Sequence, residues 1–541
     1  MTTEEKIAHI FPAASEIPEA HRLSVPLEQT KYLIGGKLIE WPGEKQNVYS
    51  PVCIKGEADT EPQRIGSYPK LTETESLAAL DAATAAYNNG RGEWPTMSVR
   101  DRITHIENFV RLMRGKREEV VRLLMWEIGK TFADSQREFD RTVDYILATI
   151  EAVKNLDRDS SRFVIEEGII GQIRRSPLGV TLCMGPFNYP LNETYTILIP
   201  ALIMGNPVIF KPPKYGVLLH QPLLDAFREA FPAGVVNTVY GEGRVIVPPL
   251  MASGKISILA FIGSSRVVDS LKKQHPKVHR LRSVLGLDAK NVGVVLPDAD
   301  LKLAVKECIL GTLSYNGQRC TALKLLFVHQ NIADEFLKQF SEAVGKLKIG
   351  MPWEEGAVIT PVAEQHKTDY LTELVKDAEA FGGKVMNEHG GKVNHTFFYP
   401  AVVYPVNEKM RLYREEQFGP VVPVIPFSDI STPIDYIIES NYGQQMSIFG
   451  SDANEIASLI DPLVNQVCRV NINSQCQRGP DVFPFTGRKD SAEGTLSVTD
   501  ALRAFSIRTL VAAKGTDINK NIITEIVRDH KSAFLSTDFI L

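Results

Sequence analysis

LGVTLCMGPFNYP, residues 178–190, is a nearly unbroken apolar run that stops at a glycine and a proline. A strand buried on both faces reads this way, because it has no solvent side to carry alternating polar residues. NPVIFKP (206–212), GVVNTVYG (234–241), ISILAFIG (256–263) and NVGVVLP (291–297) repeat the pattern, with helical spacing over 192–204 and 216–230 between them. Strand and helix in alternation specify a parallel, doubly wound sheet. A second series follows: a helix over 301–313, LKLLFVHQ (323–330), a helix over 331–345, VVPVIPF (421–427), a helix over 431–440, MSIFG (446–450) and CRVNIN (468–473). It implies a second α/β domain, with the break at LGLDAKN, 285–291.

Upstream, 76–92 and 98–130 carry helical periodicity, as in Ile103, Ile106, Phe109 and Val110. Residues 161–177 and those after 497 fit neither sheet, so they are expected to form an arm. The resulting division is 1–160 with 178–288 as one α/β domain, 289–477 as a second, and 161–177 with 497–541 as arm and tail.

Composition bounds the function. The 541 residues carry a net charge of −5 with no long run of one sign, so no surface is expected for nucleic acid or anionic membrane. No stretch approaches the roughly 20 apolar residues of a membrane span, and the N-terminus lacks a secretory pattern; a cytoplasmic protein is expected. The six cysteines show no zinc spacing, so no metal is expected.

Several short motifs need weighing. WEIGKT (126–131) ends like a phosphate loop, but Leu124 stands where the first glycine belongs and a helix precedes it, so a helix C-cap is the better reading. GEGRVI at 241 lacks the third glycine of a dinucleotide fingerprint and reads as a turn. FIGSS (261–265) ends a strand in Gly263 and Ser264 before a helix, where backbone N–H groups can face an anion. FKPPKYG (210–216) sets Lys211 and Lys214 on a stiff turn at a strand's carboxyl end, where α/β folds bind nucleotides. In YNGQRCTALK (315–324), Arg319 adjoins Cys320, and a neighbouring cation lowers a thiol pKa. Asn188 of GPFNYP is either a turn former or a fixed donor for an oxyanion.

Taken together and in this order, GPFNYP, FKPP, FIGSS, GQRC and EEQFGPV resemble segments of the NAD(P)-dependent aldehyde dehydrogenase superfamily. The resemblance runs from about residue 75 to about 513. GPFNYPLN, KPP, NGQRCTA and INSQCQRGPDVFPFTGRKDSAEG are similar to the non-phosphorylating glyceraldehyde-3-phosphate dehydrogenase branch.

The resemblance implies two Rossmann-like parallel-sheet domains, the first (1–160 with 178–288) cofactor-binding and the second (289–477) catalytic, with a small β oligomerisation arm and a homodimer or homotetramer. It implies that Cys320 attacks an aldehyde, with Asn188 and the Cys320 N–H holding the oxyanion, and that a thioester follows hydride transfer. Lys211, Gly263, Ser264, Glu416 and Phe418 correspond to cofactor-binding positions. Lys214 stands where relatives preferring NAD place a glutamate, so NADP is expected over NAD. Arg141, Tyr189, Arg319 and Arg478 correspond to groups that bind the phosphate of a small phosphorylated aldehyde, glyceraldehyde 3-phosphate.

One segment departs. Where relatives carry the glutamate that activates the hydrolytic water, this chain has Gly286, within Gly286-Leu287-Asp288-Ala289-Lys290. Three consequences compete: Asp288 or another carboxylate replaces the base, coenzyme A accepts the acyl group, or turnover is very slow and the chain is a binding relative.

Overall fold

The computed structural model describes residues 2–23, 25–57 and 59–537; the end of the expected tail, 538–541, lies outside the described residues, as do Met1, Ser24 and Ala58. Two helices open the part that shapes the site, α1 (Arg117–Ile128) and the long α2 (Phe132–Ser160). Gly129 ends α1 at φ 65°, the left-handed cap that WEIGKT was expected to form. Strands β1 (Phe163–Glu166) and β2 (Ile169–Pro177) then leave the body as a hairpin.

The first parallel sheet contains β3 (Thr181–Met184), β4 (Val208–Lys211), β5 (Val236–Thr238), β6 (Ile258–Ile262) and β7 (Arg282–Gly286). Its order is β5-β4-β3-β6-β7. The chain starts at β3, adds β4 and β5 on one side, then returns to add β6 and β7 on the other. The carboxyl ends of β3 and β6 therefore flank a topological switch point, the usual place for a ligand crevice in an open α/β sheet. Helix α3 (Asn192–Ile203) follows β3 and α4 (Ser265–Gln274) follows β6.

The second sheet is built on β8 (Asn291–Val295), β9 (Leu323–His329), β10 (Ala401–Tyr404), β11 (Val421–Phe427), β12 (Gln445–Phe449) and β13 (Arg469–Ile472), in the order β10-β11-β9-β8-β12-β13, all parallel. Helix α5 (Leu301–Leu313) bridges β8 to β9. Valines, leucines and phenylalanines of these strands are buried, as continuous apolar runs require. The proposed domain break at 285–291 falls across the end of β7 and the start of β8. A two-residue strand, β14 (Ala492–Glu493), returns from the second half to pair antiparallel with β7 at Leu285 and Gly286. Finally β15 (Ser506–Lys514) pairs antiparallel with β2 along its whole length, making the three-stranded arm β15-β2-β1. Among the described residues no helix is long and apolar enough to cross a membrane, and no cluster of potential metal ligands occurs.

Candidate active site

The loop after β3 is fixed before it carries any chemistry. A Cβ on Gly185 would lie 1.7 Å from Thr194 Oγ1, so the loop can press onto α3 only with glycine there. Lys130 Nζ donates to the Asn188 carbonyl at 2.8 Å and to Glu138, and lies 3.6 Å from the centre of the Tyr189 ring. Glu138 in turn accepts from the Leu191 and Asn192 N–H groups at 3.0 and 3.2 Å. Both charged side chains are almost wholly buried. Burial pulls the Lys130 pKa down, and Glu138 opposes that shift. Sequence reasoning treated this lysine only as part of a helix terminus; nothing local marks it as the strut of a loop nearly sixty positions away.

Held in this way, the Asn188 side chain donates to the Gln318 carbonyl at 2.9 Å, two residues before Cys320. The turn leading to the cysteine places Tyr315, Asn316 and Gly317 consecutively at positive φ (48°, 56° and 69°). Such a run is costly for side-chain-bearing residues and persists only where surroundings enforce it. The Tyr315 hydroxyl donates to the Ile128 carbonyl at 3.2 Å, Asn316 accepts from Thr360 N–H at 3.0 Å, and a Cβ on Gly317 would meet the Thr312 and Gly419 carbonyls below 3.0 Å. From the other side, Asn291 at the start of β8 donates to the Cys320 carbonyl at 2.8 Å.

Cys320 is half-buried at the end of this turn. Burial, reinforced by the charge of Glu193, pushes its thiol up to about 11, while Lys324 and Arg478 pull the other way. Arg319 is not the activating cation that its sequence position suggested. Its guanidinium turns back to cap α5, donating to the Leu310 and Gly311 carbonyls at 2.9 Å each. Adjacent residues in a turn need not present their side chains to one place.

Of the four residues expected to hold an anion, Arg141 and Arg478 meet at one carboxylate, Asp481, and each is already engaged. Arg141 makes a two-point bond to Asp481 at 3.1 and 2.7 Å. Arg478, 5% exposed, bonds Glu193 and the Leu496 carbonyl and lies 3.3 Å from Asp481. Burial alone would raise the Asp481 carboxyl, but Arg141 and Arg478 outweigh it and hold it below its usual value. Tyr189 lies within electrostatic reach of Arg319 and Arg141. Two arginines are thus matched by two carboxylates, Glu193 and Asp481, that the sequence reading did not single out. The Arg319 Nε and the Arg478 Nε are both buried without a hydrogen-bond acceptor among the described residues.

On the cofactor side, Glu416 accepts from the buried Lys324 ammonium at 2.6 Å, and Lys324 also donates to the Arg319 carbonyl at 2.9 Å. This chain of bonds ties EEQFGP to the nucleophile loop. Lys290 donates to the Glu415 carbonyl at 2.6 Å and to Gln417 at 2.8 Å, and burial, with the Lys324 charge beside it, draws its pKa down to about 7. Phe418, at φ 46°, meets the Phe187 ring edge-on at 5.8 Å. Lys211 donates only to the Pro212 carbonyl, at 3.0 Å; burial alone lowers its pKa to about 8, with no carboxylate opposing it. Lys214 is exposed, 5.1 Å from the Tyr215 ring centre. Two ammonium groups at the end of β4, without a carboxylate partner among the described residues, together with the Phe187–Phe418 pair and Glu416, form a donor set that fits a phosphorylated dinucleotide.

The FIGSS turn is less open to an anion than its sequence promised. Gly263 N–H is committed to the Gly286 carbonyl at 3.0 Å, and Asp288 accepts from the Ser265 N–H and hydroxyl at 2.8 Å each. Ser264 caps α4 without a side-chain hydrogen bond. Asp288 therefore faces the start of α4. At Gly286 itself, a Cβ would find ordinary contacts, 3.4 Å from Leu496 and 3.5 Å from Ile262.

The chain is similar in sequence and fold to known proteins. The model of the aldehyde dehydrogenase family matches residues 53–511. The NADP-dependent glyceraldehyde-3-phosphate dehydrogenase of Streptococcus equinus is 32% identical over 501 residues, 90% of this chain and 98% of that protein. The protein of the same name from Arabidopsis thaliana is 32% identical over 457 residues, covering 83% and 88%. Among solved structures, the NADP-dependent glyceraldehyde-3-phosphate dehydrogenase of Bacillus halodurans C-125, complexed with NADP, superposes with a TM-score of 0.82 at 30% identity, covering 90% of this chain and all of that one.

Proposed function

The chain belongs to the aldehyde dehydrogenase family, and from that premise we propose that it oxidises a phosphorylated aldehyde, glyceraldehyde 3-phosphate to 3-phosphoglycerate, with NADP as hydride acceptor. The observation that supports the reading most directly is the bond from the Asn188 side chain to the carbonyl two residues before Cys320, because it ties the loop after β3 to the turn that carries the half-buried thiol. The Cys320 sulfur adds to the aldehyde carbon, and the new oxyanion is met by the Asn188 amide and the Cys320 N–H. With a thiol held near 11, the sulfur must lose its proton on the way to attack. When bound, NADP accepts hydride from the resulting thiohemiacetal carbon. Lys211 and Lys214 would hold its adenosine end, Lys214 meeting the 2′-phosphate; Glu416 would hold the nicotinamide ribose and Phe418 would flank the ring. Gly263 and Ser264 would line the phosphates.

The substrate's phosphate is assigned to Arg319, Tyr189, Arg478 and Arg141. It competes with Glu193 and Asp481 for the last two, so selectivity rests on how readily those carboxylates yield. Exposed apolar residues on the arm, Val164, Ile165 and Leu510 among them, support assembly with further copies as a homodimer or homotetramer. Six free cysteines support a reducing, cytoplasmic setting.

The test supplies NADP and D-glyceraldehyde 3-phosphate, with and without inorganic phosphate or coenzyme A, and follows NADPH while mass spectrometry reads Cys320. Steady turnover with neither acceptor is expected. A strict requirement for coenzyme A would replace this reading with an acylating one, which Gly286 favours; a single burst without turnover would replace it with an impaired relative.

A further inference from the structure

A thioester on Cys320 needs a group to activate water, and neither Gly286 nor the Ser265-bound Asp288 offers one. Among the charges that bear most on the sulfur are two carboxylates, Glu193 and Glu416. Glu416 is tied to the Lys324 ammonium at 2.6 Å. Glu193 stands differently. It is the second residue of α3, five positions after Asn188, and its N–H donates to the Tyr189 carbonyl at 3.1 Å, so the helix end that follows the oxyanion loop carries it. The side chain is 9% exposed, and Arg478 grips it through Oε2. Among the described residues no donor meets Oε1. One oxygen anchored and one free is the arrangement a water-activating carboxylate needs.

We propose that Glu193 is the general base that releases the acyl group from Cys320, an inference that rests on the thioester reading above. Oε1 takes a proton from water as the water oxygen bonds to the thioester carbonyl carbon. The tetrahedral oxyanion lies against the Asn188 amide and the Cys320 N–H. Its collapse breaks the C–S bond, the electron pair stays on sulfur, and the proton held by Glu193 passes to the thiolate. The acid departs, and no redox change accompanies this step.

The test acylates Cys320 directly with 4-nitrophenyl acetate, which needs no cofactor. In the unmodified protein a burst of nitrophenolate should precede a steady phase. Glu193→Gln, nearly isosteric, should keep the burst and lower the steady phase by roughly 100-fold, the low end of general-base contributions. The acetyl adduct on Cys320 should then persist in the mass spectrum. Hydroxylamine should discharge it, and Gly286→Glu, made in the Glu193→Gln protein, should restore release. Glu193→Asp, which keeps the charge, should fall between. An intact burst with unchanged release in Glu193→Gln would overturn the assignment of the base alone. A wild-type protein that shows no burst and no adduct would overturn the thioester reading, and this inference with it.

Discussion

Replacing Lys130 with methionine is the perturbation that most directly probes how the site is held. The substitution keeps most of the apolar stem and removes the ammonium, which bonds the Asn188 carbonyl at 2.8 Å, pairs with Glu138 and lies over the Tyr189 ring. Glu138 would keep its two backbone donors but lose its only counter-charge, in a place where both side chains are at most 1% exposed. Breaking such a buried pair costs about 3–5 kcal/mol, because the remaining charge is uncompensated. Spread over an unfolding entropy of roughly 2 cal/mol/K per residue, this lowers the Tm of a chain this long by about 3–4 °C. A functional loss should accompany the stability loss: a shift of the Asn188 amide by about 1 Å is enough for roughly 100-fold in rate. Calorimetry and the nitrophenolate burst report the two effects separately. The double variant Lys130→Met/Glu138→Gln should recover much of the Tm and little of the burst rate. If Lys130→Met melts and reacts like the parent, the strut has been misread; if the double variant melts no higher than the single one, the uncompensated carboxylate is not the source of the cost.

Three further outcomes are expected. Because the Cys320 thiol is raised to about 11, the rate of its alkylation by iodoacetamide without cofactor should climb about tenfold per pH unit from 7 to near 10; the same shift favours the folded state below the unfolded thiol's pKa, and that contribution fades as pH rises from about 9 towards 11. A plateau near pH 8 would refute the burial reading. Lys214→Glu should raise the KM for NADP by about 10- to 100-fold, as loss of one charge-assisted bond does, while lowering that for NAD; equal effects on both cofactors would show that Lys214 does not read the 2′-phosphate. Arg319→Met should lower Tm by uncapping α5 and raise the KM for the phosphorylated aldehyde but not for an unphosphorylated one; a change in Tm alone would leave Arg319 a helix cap.

Much of the architecture was legible because each parallel strand is buried on both faces and so must be a continuous apolar run, a one-dimensional signal. GVTLCM, VIFK and ILAFI announced themselves for that reason, and the chemistry-bearing turns were found at their ends. RSVLG, residues 282–286, was not read as a strand: it begins with Arg282 and Ser283, and it completes its bonding through Ala492 and Glu493, some two hundred positions on. The arm segments were recognised only as misfits to either sheet; their pairing along β2 and β15 is a long-range contact with no local signature.

Within the site, Cys320, Asn188, Glu416 and Arg478 could be found in the chain because each lies in a turn that glycines or prolines mark, whereas Arg141 lies inside α2 and only the family resemblance singles it out. Their partners could not be found this way. Lys130 and Glu138 are eight apart in sequence, one ending a helical cap and the other inside α2, and only folding turns both toward Asn188. Arg319 adjoins Cys320 in the chain, yet its side chain reaches back to α5, while Arg478, more than 150 positions away, is the arginine whose charge the sulfur feels. Sequence determined which groups are available and which strands carry them; tertiary structure decided which charges meet, because the direction of a side chain in a turn is set by what packs against it rather than by its neighbour in the chain.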